Sequence, residues 1–397
     1  MTKKEKRPLV PRLRFPEFRE SAEWGKDKLG ELTSTVSPPS KLQSSLYRTK
    51  GKFPIIDQSQ EPICGWTDDE SAVIKESLPL IVFGDHTCVL KFIDYPFAQG
   101  ADGIKILKAK PVISTEYLFH SLSHRQLAME DYKRHFSILK ERVVVFPDIK
   151  SGEQQKIGMC LSSLEGIITA EIRKLDSLKT YRKGLMQQLF PCEGEAVPRL
   201  RFPEFRELGD WEPKTIGDSC ESFSGGTPAT TNRSFYGGDV PFIRSAEIDN
   251  DKTELFLSLE GLENSAAKIV EAGDILVALY GANSGDVALS KIDGAINQAI
   301  LCLRHETNNA FLYQYLAHKK DWIVSTFIQG GQGNLSGEII KAIRLFFPMP
   351  KEQQRIANCL SSLDYLVATQ NQKIGALKTH KKGLMQQIIP VPEEVST

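Results

Sequence analysis

Cysteine is scarce in this chain of 397 residues and never paired at short range: Cys64, Cys88, Cys160, Cys192, Cys220, Cys302 and Cys359 are odd in number and form no Cys-x-x-Cys. Neither a disulfide framework nor a zinc ribbon is thereby indicated, and reduced cytosolic thiols are expected. Net charge is missing too, since 50 Lys and Arg stand against 50 Asp and Glu. A nucleic-acid partner would therefore have to be met by basic residues segregated onto one face. No apolar run approaches the roughly 20 residues of a membrane span; Leu78–Phe83 is typical. The basic start Met1–Arg7 leads into Pro8-Leu9-Val10-Pro11 rather than the apolar core of an export signal. A cytoplasmic protein is expected. The G-x-x-x-x-G-K-[S/T] phosphate loop and the H-E-x-x-H helix are absent, which argues against ATP-driven and zinc-peptidase chemistry in this chain. Gly331-Gln332-Gly333 starts like a dinucleotide fingerprint but reaches Ser336 where the last glycine belongs. An amino-methyltransferase Asp/Asn-Pro-Pro-aromatic motif is also missing, the one Pro-Pro, Pro38-Pro39, lying between serines.

What is present is a duplication. Val10-Pro11-Arg12-Leu13-Arg14-Phe15-Pro16-Glu17-Phe18-Arg19-Glu20 returns unchanged as Val197–Glu207, 187 residues further on. A second block, Glu153-Gln154-Gln155-Lys156-Ile157 onward to Gln188, returns as Glu352–Gln387, 199 residues further on and without a gap. The order is mixed unit, helix, mixed unit, helix, and the second mixed unit is 12 residues longer. A fixed scaffold with divergent contents is the pattern of a device used twice. The boundaries expected are a first globular domain over 1–147, a long helix within 148–192, a second globular domain over 193–348, and a second long helix with its tail over 349–397.

Each second block predicts one long helix. Ile157, Leu161, Leu164, Ile168, Ile172, Leu175 and Leu178 recur at steps of three and four with no proline before Pro191, and the copy repeats this from Ile356 to Leu377. Nearly forty helical residues would extend about 55 Å, and an apolar stripe that long needs a partner. The other copy is the obvious one, paired antiparallel with a globular unit near each end. The mixed units show strand-like runs at Leu80–Phe83, Ile104–Leu107, Val143–Phe146, Ile275–Tyr280 and Ala299–Leu303, and helical stretches at Glu116–Glu130 and Phe311–Phe327. The fold class expected is α+β.

The two-copy plan, the Glu-Gln-Gln-[Lys/Arg]-Ile helix start, the Cys-Leu-Ser-Ser-Leu-[Glu/Asp] run and the Lys-Gly-Leu-Met-Gln-Gln helix end together resemble the specificity subunit of type I restriction-modification systems. Further likeness lies in Gly225-Gly226-Thr227-Pro228, Gly238–Ile243, Asn297-Gln298-Ala299 and Gly333-Asn334-Leu335-Ser336. The first unit departs from this glycine-rich pattern with Phe97–Gly103 and Tyr132–Phe136, as a different recognition-domain subtype would. The resemblance implies a non-catalytic DNA-reading subunit with one recognition domain per half of a split target. It also implies two methyltransferase subunits docked on paired helices, and restriction subunits joining that core. S-adenosylmethionine, ATP and magnesium would then belong to the partners, with no cofactor on this chain. A type IIB-like system and a coiled-coil assembly protein without a DNA role remain as alternatives.

Candidate DNA contacts are loop polar and basic residues, because Arg suits guanine and Asn or Gln suits adenine in the major groove while Lys and Arg serve phosphates. In the first unit these are Lys41, Arg48, Lys50, Lys52, Lys91, Gln99, Lys133, Arg134 and His135; in the second they are Arg233, Arg244, Asn283, Ser284, Gln332 and Asn334. Each stands against a plainer role in capping a turn or lining a solvated face. Near the helix ends Lys179, Arg182 and Lys183 are mirrored by Lys378, Lys381 and Lys382, suited to a partner subunit or to the helix dipole. Arg12, Arg14, Phe15 and Phe18, with their copies, either bind a partner or tether each domain to the helices; tethering is the reading adopted. Gly184 and Gly383 fall within the helical pattern at matching positions, where close packing or fraying would account for them.

Overall fold

The computed structural model describes residues 9–101, 103–128, 134–328 and 334–391. Contacts divide the chain into two compact units, one of residues 1–173 with 372–397, the other Lys174–Asn371. The long helices are not separate bodies. Glu153–Leu189, of 37 residues, and Pro350–Ile388, of 39, each contribute one stretch to each unit.

In the first unit, Gly25–Lys28 pairs antiparallel with Val143–Phe146. A four-stranded antiparallel sheet follows in the spatial order Thr33–Val36, Ile104–Ala109, Leu80–Gly84, Leu90–Ile93. A smaller sheet places Phe53–Ile56 between Gly65–Thr67 and Ala98–Gln99, the last pairing being parallel. Leu80–Gly84 is buried throughout, which is why it reads in sequence as an unbroken apolar run rather than an alternating one. The helix Thr115–His124 starts where the Ser114 side chain accepts from the Tyr117 N–H, and it stops short of the Glu130 expected from the sequence.

The second unit repeats this plan. Glu212–Thr215 pairs with Arg344–Phe347, and the larger sheet runs Cys220–Ser224, Ile300–His305, Ile275–Ala278, Val287–Leu289. Its smaller sheet gains a fourth strand, Lys268–Val270, beside Leu255–Leu257, Tyr236–Ile243 and Gly294–Ile296. Its helix, Asn309–Phe327, is 19 residues long against 10 for Thr115–His124. The extra length of the second unit thus goes into an edge strand and a helix extension, leaving the shared sheets intact.

Each core is closed by the end of one long helix and the start of the other. Trp24, Phe83, Tyr117, Ile157 and Leu161 pack in one cluster with Met385, Ile388 and Ile389. In the second unit Trp211, Phe311, Ile356 and Leu360 pack with Met186, Leu189 and Phe190. Within the first unit Glu165 pairs with Lys381 and Glu171 with Lys373, so one stretch climbs as the other descends and the pairing is antiparallel. No described helix is long and apolar enough to cross a membrane.

Candidate nucleic-acid interface

The tether between each globular part and its helices is built twice from the same residues. Arg14 donates through Nε and Nη2 to the two oxygens of Glu153, both at 2.7 Å, and through Nη1 to the Ser21 carbonyl at 2.9 Å. Arg201 repeats the fork on Glu352 at 2.8 and 2.7 Å and reaches the Leu208 carbonyl at 2.7 Å. Both glutamates are 1% exposed or less. Outside each fork, Lys156 pairs with Glu17 over the Phe15 ring, and Arg355 pairs with Glu204 over Phe202. These contacts decide the tethering role for Arg14, Phe15 and their copies.

Against this shared frame the exposed loops differ. In the first unit Arg48 bridges to Trp66 and pairs with Asp68 at 2.8 Å, while Lys52 pairs with Glu70 and lies 5.0 Å from the Phe53 ring centre. All four charged side chains are more than half exposed, so these pairs are worth little and open readily to a competing phosphate. Lys41, Lys50 and Arg134 are exposed as well. Lys133 lies outside the described residues.

Three candidates are turned inward instead. Lys91 alternates with Ile93 on the inner face of its strand, and its Nζ donates to the carbonyls of Asp57 at 2.8 Å and Glu61 at 2.6 Å. Burial lowers its pKa from the ordinary lysine value. Gln99 is buried in the parallel strand pair. His135 is buried with Nδ1 3.1 Å from the Asp85 carbonyl, while Asp85 accepts from the Phe136 N–H at 2.8 Å. As placed, these side chains organise the loops from beneath and present nothing to a groove.

In the second unit Arg233 is exposed on the turn Arg233–Phe235, capped by Asn232. Arg244 is half-exposed and held by two carboxylates, Glu247 at 2.9 Å and Glu254 at 2.7 Å. Its hydrogen bonds push the Glu247 carboxyl down to about 2. Asn283 and Ser284 sit in the turn that joins Ile275–Ala278 to Val287–Leu289; the Asn283 carbonyl accepts from the Asp286 N–H, and Ser284 Oγ donates to the Leu279 carbonyl. The Leu335 N–H donates to that same carbonyl at 3.0 Å, which brings exposed Asn334 to the same turn. Gln332 lies outside the described residues. A further exposed polar pair, Thr227 Oγ1 donating to Gln298 Oε1 at 2.6 Å, joins two segments that the sequence grouped only as family-like motifs.

Two of the six helix cations also have internal partners. Arg182 pairs with Asp364 and donates to Gln314 Oε1 at 2.8 Å, and Gln314 donates to Asp364 at 2.7 Å. The equivalent pair in the first unit is Lys381 with Glu165, where His120, bonded to Ser162 Oγ at 2.9 Å, takes the place of Gln314. Their physical reason for facing inward is that each sits one turn before the core methionine, Met186 or Met385. Lys179, Lys183, Lys378 and Lys382 project from exposed positions. A Cβ at Gly184 or Gly383 would meet nothing within 4 Å, and both helices continue past them, so nothing in the structure explains these glycines. Among the described residues no three His, Cys, Asp or Glu side chains are grouped to hold a metal ion.

Residues 209–379 match the family described as the type I restriction modification DNA specificity domain. The specificity subunit of the EcoR124I/EcoR124II type I restriction enzyme of Escherichia coli is 23% identical over 360 residues, covering 85% of this chain and 86% of that protein. The MjaVIII specificity subunit of Methanocaldococcus jannaschii is 28% identical over 192 residues, 48% of this chain and 43% of the relative. Among solved structures, the S subunit of a type I restriction-modification system from M. genitalium superposes with a TM-score of 0.69 at 17% identity, covering 97% of this chain and all of that one. A chain solved in a study of complex assembly in a type I R-M system gives 0.53 at 15% identity, over 92% and 97%.

Proposed function

We propose that this chain is a specificity subunit of the type I restriction-modification kind, as its match to that family's DNA specificity domain and its likeness to a specificity subunit over 85% of its length support, and that it reads a split DNA target, one half per globular unit, on behalf of catalytic partner subunits. The observation that carries the reading is the contrast within the duplication. The Arg14–Glu153 and Arg201–Glu352 tethers are the same, while the loops around them differ in charge, glycine content and length. Two different readers on one frame specify two different short sequences. Exposed cations such as Arg48, Lys52 and Arg233 position the duplex through phosphates, and polar side chains on the loops read base edges.

The same duplication supplies two equivalent faces for two copies of one methyltransferase subunit. Ile167 and Leu366 occupy matching helix positions and are 47% and 48% exposed. Lys179, Lys183, Lys378 and Lys382 are exposed further along the same helices. S-adenosylmethionine, and in the restriction complex ATP and magnesium, act on those partners, and this chain contributes recognition without catalysis. The test is methyl transfer from labelled S-adenosylmethionine to DNA by the chain, by its modification subunit, and by the two together. Transfer only by the pair is expected; transfer by the chain alone, or by the modification subunit equally well without it, would sink the reading.

A further inference from the structure

In the first unit two polar loops leave the same end of the parallel strand pair in which Ile56 lies beside Gln99. One loop begins at Asp57, the other at Gly100. Gln58, in the first, is seated against bare backbone: a Cβ added at Gly103 would lie 2.7 Å from its amide atoms, and one at Gly84 would lie 3.1 Å from its Cβ. Its backbone carbonyl accepts from Thr87 Oγ1 at 2.7 Å, which also holds the residue's main chain. Despite this close fit, Gln58 Oε1 is buried and has no hydrogen-bond partner among the described residues. An acceptor left in that state is destabilising, and a buried polar atom without a partner calls for a functional or solvent explanation. Among the described residues no hydrogen bond to Oε1 fixes the terminal amide torsion, which is broad by nature.

The surroundings fit a reader of base edges. The Tyr47 hydroxyl accepts from the Ala101 N–H at 2.9 Å, tying the loop after Gly100 to the exposed cations Arg48, Lys50 and Lys52 that follow Tyr47 in the chain. Cations that hold phosphates beside an amide that reads a base edge would divide the labour as DNA-binding proteins do. The second unit repeats the placement. Ile243 lies parallel to Ile296 as Ile56 does to Gln99, so Arg244 and Ser245 stand where Asp57 and Gln58 stand. The two units therefore present different hydrogen-bonding groups at one location in a common scaffold.

We propose that Gln58 determines specificity in the first unit's half of the target, pairing its amide with the N6 and N7 edge of an adenine. The inference rests on the DNA-recognition reading above. It assigns to DNA a residue that neither composition nor a basic cluster singles out.

The experiment uses the complete complex with the modification subunit, carrying wild-type chain, Gln58→Leu or Gln58→Glu. Methyl transfer is measured on a set of duplexes that each change one base pair of the target, and melting curves are recorded for each complex. The wild-type complex should discriminate against changes in both halves. In Gln58→Leu, discrimination at one A·T pair of one half should fall about tenfold or more, with every other position unchanged and the melting temperature retained. Gln58→Glu, which loses the amide donor but keeps the shape, should lose the preference at that same pair. Wild-type discrimination at every position in both variants overturns the proposal and leaves a water-satisfied structural amide. A uniform loss over the whole half, at every base alike, overturns it too, since that is the result of a collapsed loop. If the wild-type complex itself responds to neither half of any split target, it is the DNA-recognition reading that has failed.

Discussion

Glu153 and Glu352 are buried carboxylates whose charges are met by one arginine fork each. Removing the fork strands a charge in the interior, which typically costs about 3–5 kcal/mol. Arg14→Ala and Arg201→Ala should each lower stability by that order in urea unfolding, and Lys at either position should restore only part of it because it cannot bind both oxygens. Equal stability in the alanine variants would remove the tether from the frame. Histidine gives a second test. Burial pushes His120 and His305 down to about 4 from an ordinary value of 6.5. Above 6.5 both are neutral, folded or unfolded. Between about 6.5 and 4 the unfolded chain takes up protons that the folded chain refuses, so stability falls as pH drops through that window. His120→Gln, which copies Gln314 of the second unit, should flatten the first unit's share of the fall; an unchanged pH profile of melting would contradict the assignment. The repeated Arg14 and Glu153 stand out in the sequence, but their pairing over 139 positions does not. Likewise nothing in Leu90–Ile93 says that Lys91 faces inward, because one lysine in a four-residue strand fits either face.

The long helices were the most legible elements, since a stripe at steps of three and four over nearly forty residues admits no other structure. What the sequence does not reveal is that each helix belongs to two cores, which depends on where contacts fall. Met385 illustrates this: it completes the cluster around Trp24 and Tyr117, far from it in the chain. Met385→Ala should destabilise the first unit by about 2–5 kcal/mol. Hydrogen exchange read by peptide should show lost protection across residues 24–161 with the second unit unchanged; loss spread evenly over both units would contradict the division. On the outer face the expectation reverses. Ile167→Ser and Leu366→Ser should change stability by less than about 0.5 kcal/mol yet reduce recovery of the modification subunit in co-purification. Full recovery in the double variant would move the docking face elsewhere.

At the scale of the whole molecule, the duplication was plain from two exact words, Val10–Glu20 and its copy, and the α+β class followed from the apolar runs between the helices. The candidate interface was less legible. Arg48, Lys50, Lys52, Arg233 and Asn334 are exposed, whereas Lys91, Gln99 and His135 are spent inside. Residue type marks what a side chain can bond; only the fold decides what it meets. Gln58 was overlooked for the same reason, as its setting comes from Gly84 and Gly103, which are distant from it in the chain.

The central claim is that two different readers share one chain, and mapping methylated bases across a genome by single-molecule sequencing tests it most directly. Cells would carry the modification subunit with this chain, without it, or with residues 220–336 exchanged for those of a relative. A motif of two short defined parts around an undefined spacer is predicted, present only with this chain, with one part changed and the other retained in the exchange. A single continuous motif, or methylation that persists when the chain is left out, would contradict it.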